Sequence, residues 1–327
     1  MKRKEGRMSR LPPFEGATAW LNSGPLTPEE LHGKVVLVDF WTYTCINWLR
    51  TLPYLRAWWK RYHGHGLEII GVHTPEFSFE LDLANVRQSA RAMEVTWPIA
   101  QDNDYAVWEA FANHYWPAVY LADAEGHIRH YWYGEGGYGE TEREIQRLLK
   151  ASGASALPPG LANVHPAGIE RSADFSTLKS QENYLGYQKT YGFVSVTGVT
   201  PDHAAHYDAP LELARNDWAL KGEWSISSEA SIAAQPEARL VTTFHARDLN
   251  LVMGPVKRGA KQVPFRVTLD GKPPGDAHGD DVSPDGHGLA ADQRLYQLIR
   301  QPGPIRDRRF EIEFIDKGAQ ALCFTFG

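Results

Sequence analysis

Two residues of this 327-residue chain carry a thiol, Cys45 and Cys323. Cys45 lies where the apolar run Val35-Val-Leu-Val-Asp-Phe40 gives way to the helical spacing of Ile46, Leu49, Leu52, Leu55 and Trp59. The free N–H groups and partial positive charge of a helix N-terminus stabilise an anion. A thiolate placed there is expected to form below the free-thiol range and to be the better nucleophile at neutral pH. The competing reading is a buried, inert structural cysteine. The strand–turn–helix setting favours the reactive one. Cys323, between Leu322 and Phe324 in a terminal strand-like run, is expected in the core.

The residues around Cys45 each have two readings. Trp41 and Trp48 either cover the thiol and shape a substrate groove or fill the domain. Glu76, after the second strand, falls where a carboxylate could move protons near Cys45, or it is a cap or surface residue. His73 is a candidate base, or a satisfied loop histidine. Neither a metal nor a cofactor is expected: two cysteines build no disulfide framework, and the 13 histidines show no zinc spacing. His63 and His65 read as a loop pair. His278-Gly-Asp-Asp-Val-Ser-Pro-Asp-Gly-His287 has oxygen ligands for calcium but lacks EF-hand spacing. Trp218 and Trp224 fall on one strand face, in the core or against a sugar ring.

Length and patterning set the frame for these residues. The chain is comfortable as two domains. A lead-in broken by Pro12, Pro13, Gly16, Gly24 and Pro25 ends in a helical start capped by Thr27. Strands are expected at Val35–Phe40, Leu67–Val72, Pro98–Ala100, Ala118–Leu121 and Ile128–Tyr133. Helices are expected at Cys45–Arg61, kinked by Pro53, and at Phe79–Met93, Asp102–Ala112 and Gly139–Ala151. That alternation makes residues 1–151 an α/β domain with a covered sheet. Residues 152–175, rich in Ala, Gly, Pro and Ser, read as a linker. Residues 176–327 hold short alternating strands and read as an all-β sandwich of jelly-roll type.

A net charge of −6 without a basic stripe argues against nucleic acid. The basic start at residues 1–7 is too short and mixed for a binding tail. No stretch approaches the ~20 apolar residues of a membrane span, and no signal-peptide pattern follows the start. A cytoplasmic location is expected, or a periplasmic or secreted one if a signal peptide has been removed.

Trp41 to Arg50 followed by Pro53 resembles the thioredoxin superfamily's FW-x-x-x-C-x-x-C-x-x-x-x-P signature. Trp116-Pro117, before the strand at Ala118, matches the place of that family's cis-proline, which faces the active cysteine. Gly71-Val-His-Thr-Pro-Glu-Phe77 and Asn113-His-Tyr-Trp-Pro117 are similar to the DipZ group, related to the TlpA and ResA types. Arg294-Leu-Tyr-Gln-Leu-Ile-Arg300 and Phe324-Thr-Phe-Gly327 resemble the carbohydrate-binding-module-like β-sandwich that follows the thioredoxin domain there. The membrane-embedded, CcdA-like domain of DipZ proteins has no counterpart in these residues. The resemblance implies a thioredoxin fold, a nucleophile at Cys45 and a cis-proline at Pro117. It departs at position 48, where Trp48 replaces the cysteine that resolves the mixed disulfide.

Three functions follow as expectations. The first is a monothiol thiol-disulfide oxidoreductase, with a thiol or disulfide protein or a low-molecular-weight thiol as partner. The second is a peroxidase, suggested by Thr42 three residues before Cys45, although position 38 is Val rather than Pro. The third is a redox-silent binding protein, with a glycan as one ligand for the sandwich.

Overall fold

The computed structural model describes residues 10–327; the basic start at residues 1–7 lies outside them. The chain divides into two compact units, meeting in sequence between Glu170 and Arg171.

The first unit is built on a six-stranded sheet. Its strands are β1 (Ala19–Leu21), β2 (Val35–Trp41), β3 (Leu67–His73), β4 (Ile99–Gln101), β5 (Ala118–Ala122) and β6 (Ile128–Tyr133). They lie in the order β1-β4-β3-β2-β5-β6. β2, β3 and β4 pair in parallel; β5 and β6 add antiparallel on one side and β1 on the other. Every residue of β2 and β3 is buried, as expected of central strands covered on both faces. Val36, Val38 and Phe40 pack with Val107 and Phe111. By strand alternation Val35, Leu37, Asp39 and Trp41 face the other side. The helices are α1 (Ile46–Tyr62), α2 (Leu83–Ala92), α3 (Ala106–Ala110) and α4 (Tyr138–Ala151). The thioredoxin fold is therefore present.

Local chemistry explains where the elements depart from the sequence pattern. α1 continues through Pro53. The helix expected from Phe79 to Met93 divides at Asp82, whose side chain accepts from the Ala84 N–H and starts α2. Before it, Ser78–Leu81 form a separate 3₁₀ turn. Asp102 accepts from the N–H groups of Val107 and Trp108 at 2.9 and 2.8 Å, and the helix beyond is one short turn. Thr27 and Glu30 exchange a reciprocal capping box without a helix following. Residues 154–170 run along the first unit: Arg61 donates to Gly160 O, the Ala162 N–H donates to Glu142, and Arg56 pairs with Glu170.

The second unit is an antiparallel, curled β-domain. Val263–Leu269, Arg308–Phe314, Ala238–Phe244 and Trp218–Ile226 are neighbours in that order. Ser231–Ala233, Ala319–Phe326, Asp248–Pro255 and Arg294–Arg300 continue it. In Val263–Leu269, Val263, Phe265, Val267 and Leu269 point inward while Pro264 and Arg266 are exposed. This is the period-2 pattern of a sandwich. Trp218 and Trp224 are both fully buried in this core, so they present no platform to a sugar.

One backbone crossing fixes this packing. A Cβ built on Gly186 would lie 2.2 Å from the Glu229 carbonyl carbon. Gly186→Ala is expected to destabilise this unit by about 2–3 kcal/mol, seen as a lower midpoint in denaturant unfolding. An unchanged midpoint would mean that the crossing relaxes.

Candidate active site

Cys45 is the N-cap of α1 and is partly exposed. Its carbonyl accepts the Leu49 N–H at 3.0 Å, and its own N–H donates to Thr42 O at 3.2 Å, which closes the turn leaving β2. No acidic side chain lies in the first turn of α1, and Lys60 and Arg61 lie in the last. Both features suit a helix whose N-terminus is to hold an anion. Facing the thiol is the loop before β5. Its Trp116–Pro117 peptide bond is cis, and Cys45 Sγ approaches Trp116 O at 3.8 Å. Trp116 packs on Trp108 at 4.4 Å between ring centroids. The next turn of α1 is anchored by Arg50, buried and paired with Glu135 at 2.9 Å.

Beneath the thiol the two tryptophans are core, not groove. Trp41 and Trp48 are fully buried and stacked at 4.3 Å. This corrects the substrate-groove reading: their positions on an inward strand face and on the inward side of α1 leave them no solvent-facing edge. Trp48 Nε1 donates to Asp39 Oδ2 at 2.8 Å. Trp48→Ala deletes a buried indole and is expected to cost about 3–5 kcal/mol, measured by chemical denaturation. A loss below about 1 kcal/mol would place the ring outside the core.

His73 is also enclosed, edge-on to Trp41 and stacked with Tyr43. Burial drives its pKa down to about 3, only partly offset by its own backbone. No hydrogen bond of good geometry reaches either ring nitrogen. A sealed, neutral imidazole is not placed to exchange protons with substrate, which corrects its reading as a base. Glu76 is partly exposed, and its backbone N–H donates to Glu80. Cys323 is buried in the last strand of the other unit, and neither cysteine is in a disulfide.

Two carboxyls missed by the sequence reading lie close to this turn. Asp39 is fully buried in β2, and burial lifts its pKa to about 7 against the pull of the Trp48 indole. An aspartate inside a run expected to be buried on both faces was the available signal. Glu80, also fully buried, accepts from the Thr44 hydroxyl at 2.6 Å and from the N–H groups of Glu76 and Phe77 at 2.6 and 3.0 Å. Burial lifts it to about 7, and its hydrogen bonds oppose the rise. Tyr43 is pushed above its ordinary range, first by burial and then by the charges of Glu80 and Asp82. Thr42 is fully buried on the Glu80 side of the turn.

Some of the possible metal ligands have other partners. Asp123, Glu125 and His127 offer ligand atoms within 4.8 Å of one another. Asp123 already accepts from two backbone N–H groups and pairs with Arg129. In the 278–287 loop, Asp281 pairs with Arg294 and accepts from the Gln297 N–H, while Asp285 bonds Ser283 and His287. Among the described residues, no helix is long and apolar enough to cross a membrane.

This geometry agrees with what the chain is similar to. Residues 9–131 match the AhpC/TSA family and residues 180–327 the thioredoxin-like C-terminal domain family. The thiol-disulfide oxidoreductase YkuV of Bacillus subtilis is 34% identical over 140 residues, 42% of this chain and 93% of YkuV. The chain belongs to the thioredoxin superfamily. Protein DipZ of Mycobacterium tuberculosis is 34% identical over 320 residues, 97% of this chain. The chain spans 42% of that relative's length. The solution structure of a thioredoxin-like protein in its oxidised form covers 44% of this superfamily member and 97% of its own chain, at 33% identity and a TM-score of 0.41.

Proposed function

We propose that this thioredoxin-superfamily chain is a monothiol thiol-disulfide oxidoreductase in which Cys45 is the sole exchanging thiol. The observation that carries the reading is a partly exposed thiol at the N-cap of α1, with an indole at the position of a resolving cysteine. The Cys45 thiolate attacks one sulfur of a disulfide RS–SR′. A bond forms between Cys45 Sγ and RS while RS–SR′ breaks, and R′S⁻ leaves with the electron pair. Trp48 cannot attack the new bond, and Cys323 is buried. An external thiol therefore completes the cycle by attacking the mixed disulfide and returning the Cys45 thiolate. A compartment rich in low-molecular-weight thiol, such as the cytoplasm, supplies that step.

The test is intact mass after incubation with glutathione disulfide or a cystine-bridged peptide. The expected product is one adduct, mapped to Cys45, that persists without added thiol and is lost when dithiothreitol is added. No adduct on a folded protein would support the redox-silent binding reading instead.

A further inference from the structure

We infer that Glu80 is a positioning residue for Cys45: its buried carboxyl clamps the turn carrying the thiol to the loop after β3. The inference rests on the reading of Cys45 as the reacting thiol. Thr44, immediately before Cys45, is buried, and its hydroxyl donates to Glu80 Oε1 at 2.6 Å. The other oxygen of the same carboxyl accepts from the N–H groups of Glu76 and Phe77. One side chain with no exposed surface thus joins two segments 32 residues apart in sequence, Thr44 and Glu76.

The arrangement has a cost that needs an explanation. A carboxyl taken fully out of water is unfavourable unless its oxygens are matched by donors. The donors that meet this one are hydroxyl and backbone N–H groups, and none of them is a cation. A hydrophobic residue could close the space between the loops, but it could not hold the turn in one geometry. The turn that Glu80 holds carries the Cys45 thiol to the N-terminus of α1. A thiolate gains from the helix N-terminus only while its sulfur stays within the first turn. The Thr44–Glu80 bond fixes the residue that sets where that sulfur points. The titratable groups around the clamp are Tyr43 on the same turn, Glu76 and Asp82 on the facing segment, and His73, stacked on Tyr43, on the strand beneath. All of them are retained in the variants below.

The test is a double-mutant cycle of Thr44→Val and Glu80→Met in a Cys323→Ser background. The readout is the rate of Cys45 alkylation by iodoacetamide from pH 5 to 10. Thr44→Val keeps the branched shape and leaves the two backbone N–H bonds to Glu80. It is expected to slow alkylation at pH 7 by about three- to tenfold, the range of one lost hydrogen bond, and to move the midpoint upward. In the Glu80→Met background, which keeps the side-chain length but has no oxygen to accept from Thr44, the same substitution should have little further effect. If Glu80→Met does not fold, Thr44→Val alone decides. A folded Thr44→Val protein with the parent's profile overturns the inference, as does a full Thr44→Val effect in the Glu80→Met background. A parent thiol of ordinary pKa whose profile still moves in both variants supports the clamp while removing the oxidoreductase reading.

Discussion

Replacing Trp48 by cysteine is expected to shorten the life of a Cys45 mixed disulfide by about a hundredfold or more, because a tethered thiol acts at a high effective concentration. Residue 48 lies in the first turn of α1, three after the N-cap, on the same side of the helix as Cys45. Cα atoms at that separation in a helix fall within the range a disulfide bridges. The adduct on Trp48→Cys should therefore convert to an internal disulfide between Cys45 and the introduced thiol, with release of the bound thiol, while the parent keeps its adduct. The substitution also removes the stack on Trp41 and the hydrogen bond to Asp39. Trp48→Ala, with a similar cavity and no thiol, is the necessary control. Equal release from the alanine and cysteine variants would attribute the change to loosened packing rather than to resolution.

Asp39→Asn is expected to stabilise the folded chain at neutral and higher pH. The folded carboxyl titrates at about 7 against an ordinary 3.8. Between those values the unfolded chain binds fewer protons, so this group's contribution to stability is fully present below about 3.8. It is lost as pH rises through about 7. The slope is roughly 1.4 kcal/mol per pH unit while only one state is protonated. The asparagine keeps an acceptor for Trp48 Nε1 and has no charge to bury. Its advantage over the parent should be small near pH 4 and reach about 2–4 kcal/mol at pH 8, read from urea unfolding at each pH. His73 acts oppositely: held neutral down to about 3 against an ordinary 6.5, it removes stability as pH falls through that window. That acid limb should remain in Asp39→Asn. A pH-independent difference between variant and parent would mean that Asp39 is not the titrating group.

The place of Cys45 at the start of α1 was legible in the sequence because it is set locally. A cysteine at the junction of a buried strand and an amphipathic helix needs only the pattern of its neighbours to be recognised. The hairpin at Asp123–Gly126 and the alternating strands of the second unit were legible for the same reason. What escaped depends on contacts far apart in the chain. Ala19–Leu21 became a strand by pairing with Ile99–Gln101, which no period in so short a segment announces. Glu80 falls in a stretch that reads as the start of a helix; Asp82 breaks that stretch and leaves Glu80 turned into the core. The side of a helix or strand on which Trp41 and Trp48 face is set by packing. Aromatic composition alone left groove and core equally open.

The most direct test of the central claim is the pH dependence of Cys45 alkylation in the Cys323→Ser protein. A thiol at the N-cap of α1 that serves as nucleophile should titrate clearly below the free value of ~8.5 and react quickly at pH 7. A slow thiol with a midpoint at or above ~8.5 would contradict the claim and leave the chain as a binding scaffold with the thioredoxin fold.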